Sequence, residues 1–390
     1  MWIDRILTPT LKAALQSRPV ILLTGARQTG KSSLLAKILP NATYLSFDNL
    51  RIMTMAKENP DQFLAQTPKP VVLDEIQNAP ELFRSLKILV DADRQTYGQW
   101  ILTGSQQFAL MENVSESLAG RMSILHLETL SAQELRNNQH LLLEDFLWKG
   151  GYPELWANPN LDPFLFLESY IQTYIERDLR SIIDVHNLYD FQRFFRILST
   201  RVGGLLNYRD LSKEVGVSDT TIRKWLHALS LSGIIYLLPP YSANIGKRFV
   251  KSPKIYFADQ GLVAHLLDIQ NRKDWDNHIY KGHLWENLVF MELIKTLSLR
   301  PGVNLFFYRD QNGVEIDFVA LKKNTTYLIE AKVSDASSKL NFHKVQPLLK
   351  QGPVVCLFAA NILEKQVLAY KEYKLFNPLY VDLPMIFKDA

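Results

Sequence analysis

Short apolar runs alternate along the chain with longer stretches whose apolar positions recur every three or four residues, the pattern of strands and helices taken in turn. Ile6, Leu7, Leu11, Ala14 and Leu15 give residues 1 to 18 a helical period. Pro19-Val20-Ile21-Leu22-Leu23-Thr24 then reads as a strand, and Leu34-Leu35-Ala36-Lys37-Ile38-Leu39 as a helix that Pro40-Asn41 stops. Thr43 to Phe47 resumes as a strand. Val71-Val72-Leu73 and Trp100-Ile101-Leu102 carry apolar residues at every position, as strands buried on both faces do. Met122 to Leu127 is another strand. From 145 to 200, Phe164, Phe166, Leu167, Tyr170, Ile171, Tyr174 and Ile175 follow helical spacing.

Past residue 200 the pattern changes. A short helix from Leu211 to Val215 is opened by Asn207 or by Arg209-Asp210, Gly216 makes a turn, and Ser218 caps a second helix. That helix runs to Leu229, Gly233 ends the region, and Ile234-Ile235-Tyr236-Leu237-Leu238 is a strand. This is a helix-turn-helix followed by a wing. Ile222, Leu226 and Leu229 face inward, leaving Thr220, Thr221, Arg223 and Lys224 toward solvent or a DNA groove. Such a module also serves ATPases as a lid or protein-docking surface. Further on, Val314 to Ala320 alternates polar and apolar residues, turns through Lys322-Lys323-Asn324-Thr325 and returns as Tyr327 to Val333, a β-hairpin.

The loop between the first strand and its helix carries the clearest chemistry. Gly25-Ala26-Arg27-Gln28-Thr29-Gly30-Lys31-Ser32-Ser33 has the spacing of a Walker A phosphate loop. Gly25 and Gly30 let backbone N–H groups turn inward to cradle phosphates ahead of a helix N-terminus. Lys31 adds positive charge, Ser32 offers a hydroxyl to Mg2+, and Thr29 and Ser33 complete the nucleotide-binding set. Asp74 and Glu75 arrive where the buried Val71 strand ends, a Walker B pattern in which Asp74 holds Mg2+ and Glu75 polarises the attacking water. Thr103 or Ser105, at the end of the Trp100 strand, would contact the γ-phosphate or that water, or else simply sit in a turn beside Gly104. Arg121 would serve as a finger in a neighbouring subunit's site, or remain a surface residue.

Composition adds constraints. At 390 residues the chain is long enough for two to four domains. Its net charge of +4 identifies no partner, but between Arg201 and Lys254 nine Lys or Arg face three acids, a candidate nucleic-acid footprint. The single cysteine, Cys356, excludes an internal disulfide and a cysteine-based metal cluster. No apolar run approaches a membrane span and the N-terminus lacks a signal-peptide core, so a cytoplasmic protein with no membrane partner is expected.

With GARQTGKSS, VVLDE, WILTGSQ, SLAGR, the turn Gly150-Gly151-Tyr152-Pro153-Glu154 and the run Tyr256-Phe257-Ala258-Asp259-Gln260-Gly261-Leu262, the chain resembles prokaryotic AAA-type ATPases that carry a C-terminal restriction-endonuclease-like domain. The biological role of that family is poorly defined. The resemblance implies a helical lid after the ATPase core, with Arg177, Asp178 and Arg180 either facing the nucleotide or forming a helical ion-pair surface. Asp317, twelve intervening residues, and Glu330-Ala331-Lys332 match the PD-(D/E)-x-K nuclease pattern, with Ile316 in the proline's place. The period of two puts Glu330 and Lys332 on one face, and the hairpin brings Asp317 beside them. Glu286 resembles the family's helical acid. Glu286, Asp317 and Glu330 would bind Mg2+ while Lys332 orients water, because three converging carboxylates need a cation. A charged outer face on an ordinary hairpin is the alternative.

The expected fold class is α/β, with a P-loop AAA-type ATPase core over 1–144, a helical lid over 145–200, a winged helix-turn-helix over 201–255 and a restriction-endonuclease-like domain over 256–390. The expected function is ATP hydrolysis with Mg2+, engagement of DNA, and a nuclease-like domain that cleaves or merely grips. Two alternatives stand beside it: a nucleotide-gated switch that binds proteins, and a DNA translocase without cleavage. A homo-oligomer, in the form of a ring, is suggested by Arg121 and the resemblance.

Overall fold

The computed structural model describes residues 2–104, 118–137, 142–175, 188–241, 252–334, 340–345, 354–370 and 372–387. Ser105, Arg177, Asp178 and Arg180 lie outside these residues, as do Lys247, Arg248 and Lys251 of the basic segment. The chain divides into two compact units, one of residues 2–129 with 231–233, the other of 130–230 with 234–390.

The first unit is built on five parallel strands, β1 (Val20–Thr24), β2 (Thr43–Ser46), β3 (Val71–Asp74), β4 (Trp100–Gly104) and β5 (Met122–His126), in the order β2-β3-β4-β1-β5. Every residue of β1, β3 and β4 is buried, as their unbroken apolar runs require. Helices α1 (Thr8–Leu15) and α2 (Lys31–Ile38) cover one face, where Leu11, Leu34 and Leu35 pack with Ile21, Leu23, Val72 and Ile101. Helix α3 (Leu82–Ala92) covers the other, setting Phe83, Leu86 and Val90 against Leu22, Leu73 and Leu102. Each such aliphatic side chain contributes roughly 1.5–3 kcal/mol by leaving water. Because β4 separates β1 from β3 in a parallel sheet, the loop after β1 and the acids after β3 emerge at the same edge.

The second unit begins with short helices at Ala132–Arg136, Phe146–Lys149, Pro153–Ala157 and Pro163–Tyr170, a π-helical turn at Ile171–Ile175, and helix α4 (Leu188–Ser199). The expected helical region is therefore helical where it is described. Gly150, at φ +73°, lies under the cap of a later helix, Gln260–Leu266: a Cβ on it would sit 2.1 Å from Asp259 Oδ1. Asp259 accepts N–H groups from Gly151 at 2.9 Å and Gly261 at 2.8 Å. Two sequence motifs far apart in the chain thus meet through one carboxylate.

Helices α5 (Tyr208–Val215) and α6 (Asp219–Leu231) are joined through Gly216, and an antiparallel pair follows, β6 (Ile235–Leu238) with β7 (Lys254–Phe257). The expected boundary at 255/256 falls inside β7. Beyond it, the long buried helix α7 (Lys281–Leu297) packs on a six-stranded mixed sheet. Its strands are β8 (Leu305–Arg309), β9 (Glu315–Lys322), β10 (Thr325–Lys332), β11 (Val354–Asn361), β12 (Leu368–Tyr370) and β13 (Tyr373–Phe376), in the order β12-β13-β11-β10-β9-β8. β9 and β10 form the hairpin read from the sequence, with Lys322 opposite Thr325. Trp285 of α7 anchors the helix by donating to the carbonyl of Ala360 on β11 at 2.9 Å. Among the described residues, no helix is long and apolar enough to cross a membrane.

Candidate functional site

In the first unit, the loop after β1 needs glycine for a steric reason: Gly25 has φ +147°, and a Cβ there would lie 2.2 Å from the carbonyl oxygen of Leu127. Gly30, left-handed at φ +92°, starts α2. Lys31 is buried and its Nζ donates to the carbonyls of Gly25 and Ala26, both at 2.9 Å. Thr29 is buried too, its hydroxyl donating to Ala26 O at 3.0 Å. Ser32 and Ser33 are exposed on the first turn of the helix. Arg5, from the segment ahead of α1, braces the loop by donating to Thr29 O at 2.7 Å and Glu128 O at 2.6 Å.

Asp74 ends β3 facing this loop, with the Ser32 hydroxyl 3.5 Å from its Oδ1. Thr103, fully buried on β4, donates its hydroxyl to the same oxygen and accepts the N–H of Glu75 at 3.3 Å. Thr103 is therefore committed to the two acids, where the sequence suggested contact with a phosphate or water. Glu75 adopts a left-handed backbone, φ +55° and ψ +47°, which costs a non-glycine residue about 1–3 kcal/mol and marks places where a side chain is aimed for use. Gln77 Nε2 donates to Glu75 Oε2 and holds it there. Burial, and then a hydrogen bond to Asp74, push the Tyr44 hydroxyl well above its ordinary pKa, so it stays protonated beside the acid. The donor set suits Mg2+: a hydroxyl and a carboxylate side by side, next to a loop that carries a lysine.

Arg121, expected either as a finger in a neighbouring subunit or as a surface residue, is paired within its own chain. Its Nε lies 2.6 Å from Asp91 Oδ1, its Nη2 2.9 Å from Asp91 Oδ2, and its Nη1 donates to Ala119 O at 3.0 Å. Hydrogen bonds from Arg121 hold the Asp91 carboxyl down at about 2. The guanidinium is bound within its own unit.

In the second unit, Ile222, Leu226 and Leu229 of α6 are buried, while Thr220, Arg223 and Lys224 are exposed. Thr221 is half-buried, and its backbone N–H and hydroxyl both meet Ser218 Oγ, at 3.1 and 2.9 Å, where Ser218 caps the helix. The Arg223 guanidinium stacks over Tyr208 of α5 at 4.0 Å from the ring centre.

The C-terminal acids come together, but around lysines. Lys254 Nζ of β7 is 2.9 Å from Glu286 Oε1, 2.5 Å from Glu315 Oε1 and 3.7 Å from Asp317 Oδ1, with its side chain only 3 % exposed. Burial opposes its charge, but Glu286, Asp317 and Glu315 outweigh that and hold its pKa above the ordinary lysine value. Tyr256 donates its hydroxyl to Glu286 Oε1 at 2.6 Å. Lys332 Nζ lies 2.6 Å from Glu330 Oε2 and 3.6 Å from Asp317 Oδ2, and Asp317 Oδ2 also accepts the Ala331 N–H at 2.8 Å. Burial lifts both Glu286 and Glu330 to about 7 in spite of these cations. Among the described residues, no group of three or more His, Cys, Asp or Glu is disposed to hold a metal. The hairpin places Asp317, Glu330 and Lys332 together as the side-chain period required. Glu286 and Asp317 share Lys254 with Glu315, and Glu330 pairs with Lys332, so the acid set already holds its cations and does not fit Mg2+ as it stands.

Sequence reasoning missed Arg5, Tyr44, Gln77, Lys254 and Tyr256. Lys254 had been counted with the basic surface; its buried position removes it from any nucleic-acid footprint. A signal was there to read: Lys254 and Tyr256 share one face of an otherwise apolar strand, as polar residues aimed at one buried partner do.

An AAA domain family matches residues 17–136, and two domains of unknown function follow, DUF8612 at 140–273 and DUF4143 at 281–372. The uncharacterized proteins Rv2008c of Mycobacterium tuberculosis and Mb2031c of Mycobacterium bovis are each 32% identical over 333 residues, 84% of this chain and 73% of theirs. Among solved structures, a Walker-type ATPase of Pyrococcus abyssi overlays 68% of this chain and 96% of its own at 16% identity and a TM-score of 0.44. The chain belongs to the family of these two mycobacterial proteins, and its amino-terminal part is a P-loop domain of the AAA type.

Proposed function

We propose that the protein is a Mg2+-dependent ATPase that engages DNA through the exposed face of α6. One observation carries the ATP half: Lys31 is tethered to two loop carbonyls, with Ser32 beside Asp74 and Glu75 aimed from a left-handed backbone. Phosphate oxygens entering the loop displace the Gly25 and Ala26 carbonyls as partners of Lys31, and the loop amides with the N-terminus of α2 complete the cradle. Ser32 and Asp74 would hold Mg2+, which when bound offsets phosphate charge. Thr103 keeps Asp74 oriented, and Glu75, steadied by Gln77, aligns the attacking water and accepts its proton.

For DNA, support comes from Thr220, Arg223 and Lys224 lying exposed on one helix, with Arg209 and Lys213 exposed on α5. Thr221, occupied by the Ser218 cap, is the weakest member of that set. Strand cleavage is not part of the proposal, which matches the translocase alternative. The second reading, a nucleotide-gated switch that binds proteins through its C-terminal part, gains from the loss of Lys254 from the basic surface. A ring of subunits completed by Arg121 would require that residue to leave Asp91.

The test is ATP turnover with and without duplex DNA, comparing the unmodified chain with Lys31→Ala and with Arg223→Glu/Lys224→Glu. Turnover that needs Lys31 and is raised by DNA only when the α6 cations are present supports the proposal. Turnover indifferent to DNA, with no salt-sensitive binding, overturns the DNA half and transfers support to the protein-binding switch.

A further inference from the structure

We propose that Lys254 is a built-in counter-ion that closes the C-terminal acid set to divalent metal, making it an internal lock that joins β7 to α7 and β9. This stands apart from the P-loop reading and shares no residue with it.

The geometry is that of an ammonium seated where a metal would sit. Glu286 from α7 and Glu315 and Asp317 from β9 reach one Nζ at 2.5 to 3.7 Å. A divalent ion needs the same oxygens at about 2.0–2.6 Å, and it would have to share the space with a positive charge. The lysine has no easy way out. Its strand is held on both edges, by β6 through Leu238 opposite Lys254 and by bridges from Val202 to Ile255 and from Leu205 to Lys254. Gly203 roofs the site so closely that a Cβ there would lie 3.3 Å from Glu286 Oε2. Other donors within the chain reach the acids as well: Tyr256 donates to the same Glu286 oxygen as Lys254, the Ala331 N–H to Asp317, Lys332 and the Asn341 N–H to Glu330, and Arg309 pairs with Glu315 at 3.4 Å. Each carboxylate is therefore neutralised or hydrogen-bonded from within the chain, which is how buried charges are tolerated.

The experiment uses MnCl2 without nucleotide, on the full chain carrying Asp74→Asn so that the P-loop contributes no signal, and reads bound Mn2+ by electron paramagnetic resonance together with the melting temperature. The expected result is no bound Mn2+ and no shift in that chain. Adding Lys254→Ala should create a site for about one Mn2+ per chain and raise the melting temperature by a few degrees, and further adding Asp317→Asn should abolish both. Mn2+ bound by the Asp74→Asn chain and lost on Asp317→Asn would overturn the proposal, as would a folded Lys254→Ala chain that takes up none. Should Lys254→Ala not fold, Lys254→Gln, which keeps donors toward Glu286 but not the charge, is read by the same two outcomes.

Discussion

Two places in this protein bury a lysine, and they differ in what the lysine holds. Lys31 donates to two neutral carbonyls of its own loop, at the edge of a parallel sheet, while the acids after β3 are held by Thr103 and Gln77. Lys254 rests on three carboxylates in the interior, with a tyrosine on the same oxygen. A carbonyl dipole is a weak partner for an ammonium and gives way to a phosphate, whose full charge binds it more strongly. A set of carboxylates does not give way. The difference teaches that proximity of acids and lysine does not define a catalytic site; the test is whether a ligand can improve on what the lysine already has.

The comparison breaks most visibly through stability. Lys254→Met leaves Glu286, Glu315 and Asp317 facing one another without their shared cation, and removing one partner of a buried ion pair costs about 3–5 kcal/mol. Chemical denaturation of the full chain should show that loss, and double substitution with Glu286→Gln should recover part of it. Lys31→Ala removes the bonds to the neutral carbonyls of Gly25 and Ala26, for which the expected stability change is about 1 kcal/mol or less. Its effect appears in ATP turnover instead, a fall of roughly 10²–10³-fold in kcat/KM. Equal stability losses for the two lysines would remove the contrast.

A further buried acid sharpens it. Glu292 of α7 accepts the Ala132 N–H at 3.0 Å, and its other oxygen has no hydrogen-bond partner among the described residues. Burial raises it from 4.5 to about 7, opposed by Lys295 and the Ala132 N–H, while Glu134 adds to the rise and Arg136 opposes it. A carboxyl whose folded pKa lies above the unfolded one keeps its proton longer when folded. Stability therefore falls as pH rises from about 4.5 to about 7, on the order of 2–3 kcal/mol for such a shift. Glu292→Gln should flatten that slope in denaturation midpoints measured across the interval. An unchanged slope would mean that the Glu292 carboxyl does not set it and that other raised acids, Glu286 and Glu330 among them, carry the pH dependence.

How much of this the sequence could reveal depends on whether the contacts are local. The P-loop was legible because phosphate binding fixes residue types at fixed spacing, and Gly25 and Gly30 have steric reasons that no other residue meets. The β9–β10 hairpin was legible because a period of two dictates which side chains share a face, so Asp317, Glu330 and Lys332 fell together. Thr103 was placed at the end of its strand, but which acceptor its hydroxyl turns to is decided by Asp74 on the neighbouring strand, 29 residues away. The period of two could mark Lys254 as facing inward with Tyr256, but which acids it meets was illegible for the same reason at greater range. Its partners lie 32 or more residues along the chain, and a charge count over 201–254 cannot distinguish a lysine in solvent from one folded inward. The resemblance supplied the acids and implied a metal; only packing could supply the lysine that takes the metal's place.

Arg121 gives the smallest expected effect and the finest discrimination. An arginine that completes a neighbour's active site must leave its intramolecular partners on assembly, whereas Arg121 is held by both oxygens of Asp91, which also accepts from Arg94 at 2.6 Å. Exposed pairs of this kind add little to stability and are screened by salt. If the pair is all that Arg121 does, Arg121→Ala and Asp91→Asn should each change ATP turnover by no more than about threefold, at every protein concentration. A finger behaves otherwise: Arg121→Ala would then abolish turnover while Asp91→Asn, by freeing the guanidinium, would raise it, and both effects would grow with protein concentration as subunits assemble. Turnover measured for the three chains across a dilution series separates the two, because only a residue acting in a second subunit makes the rate per chain depend on how many chains are present.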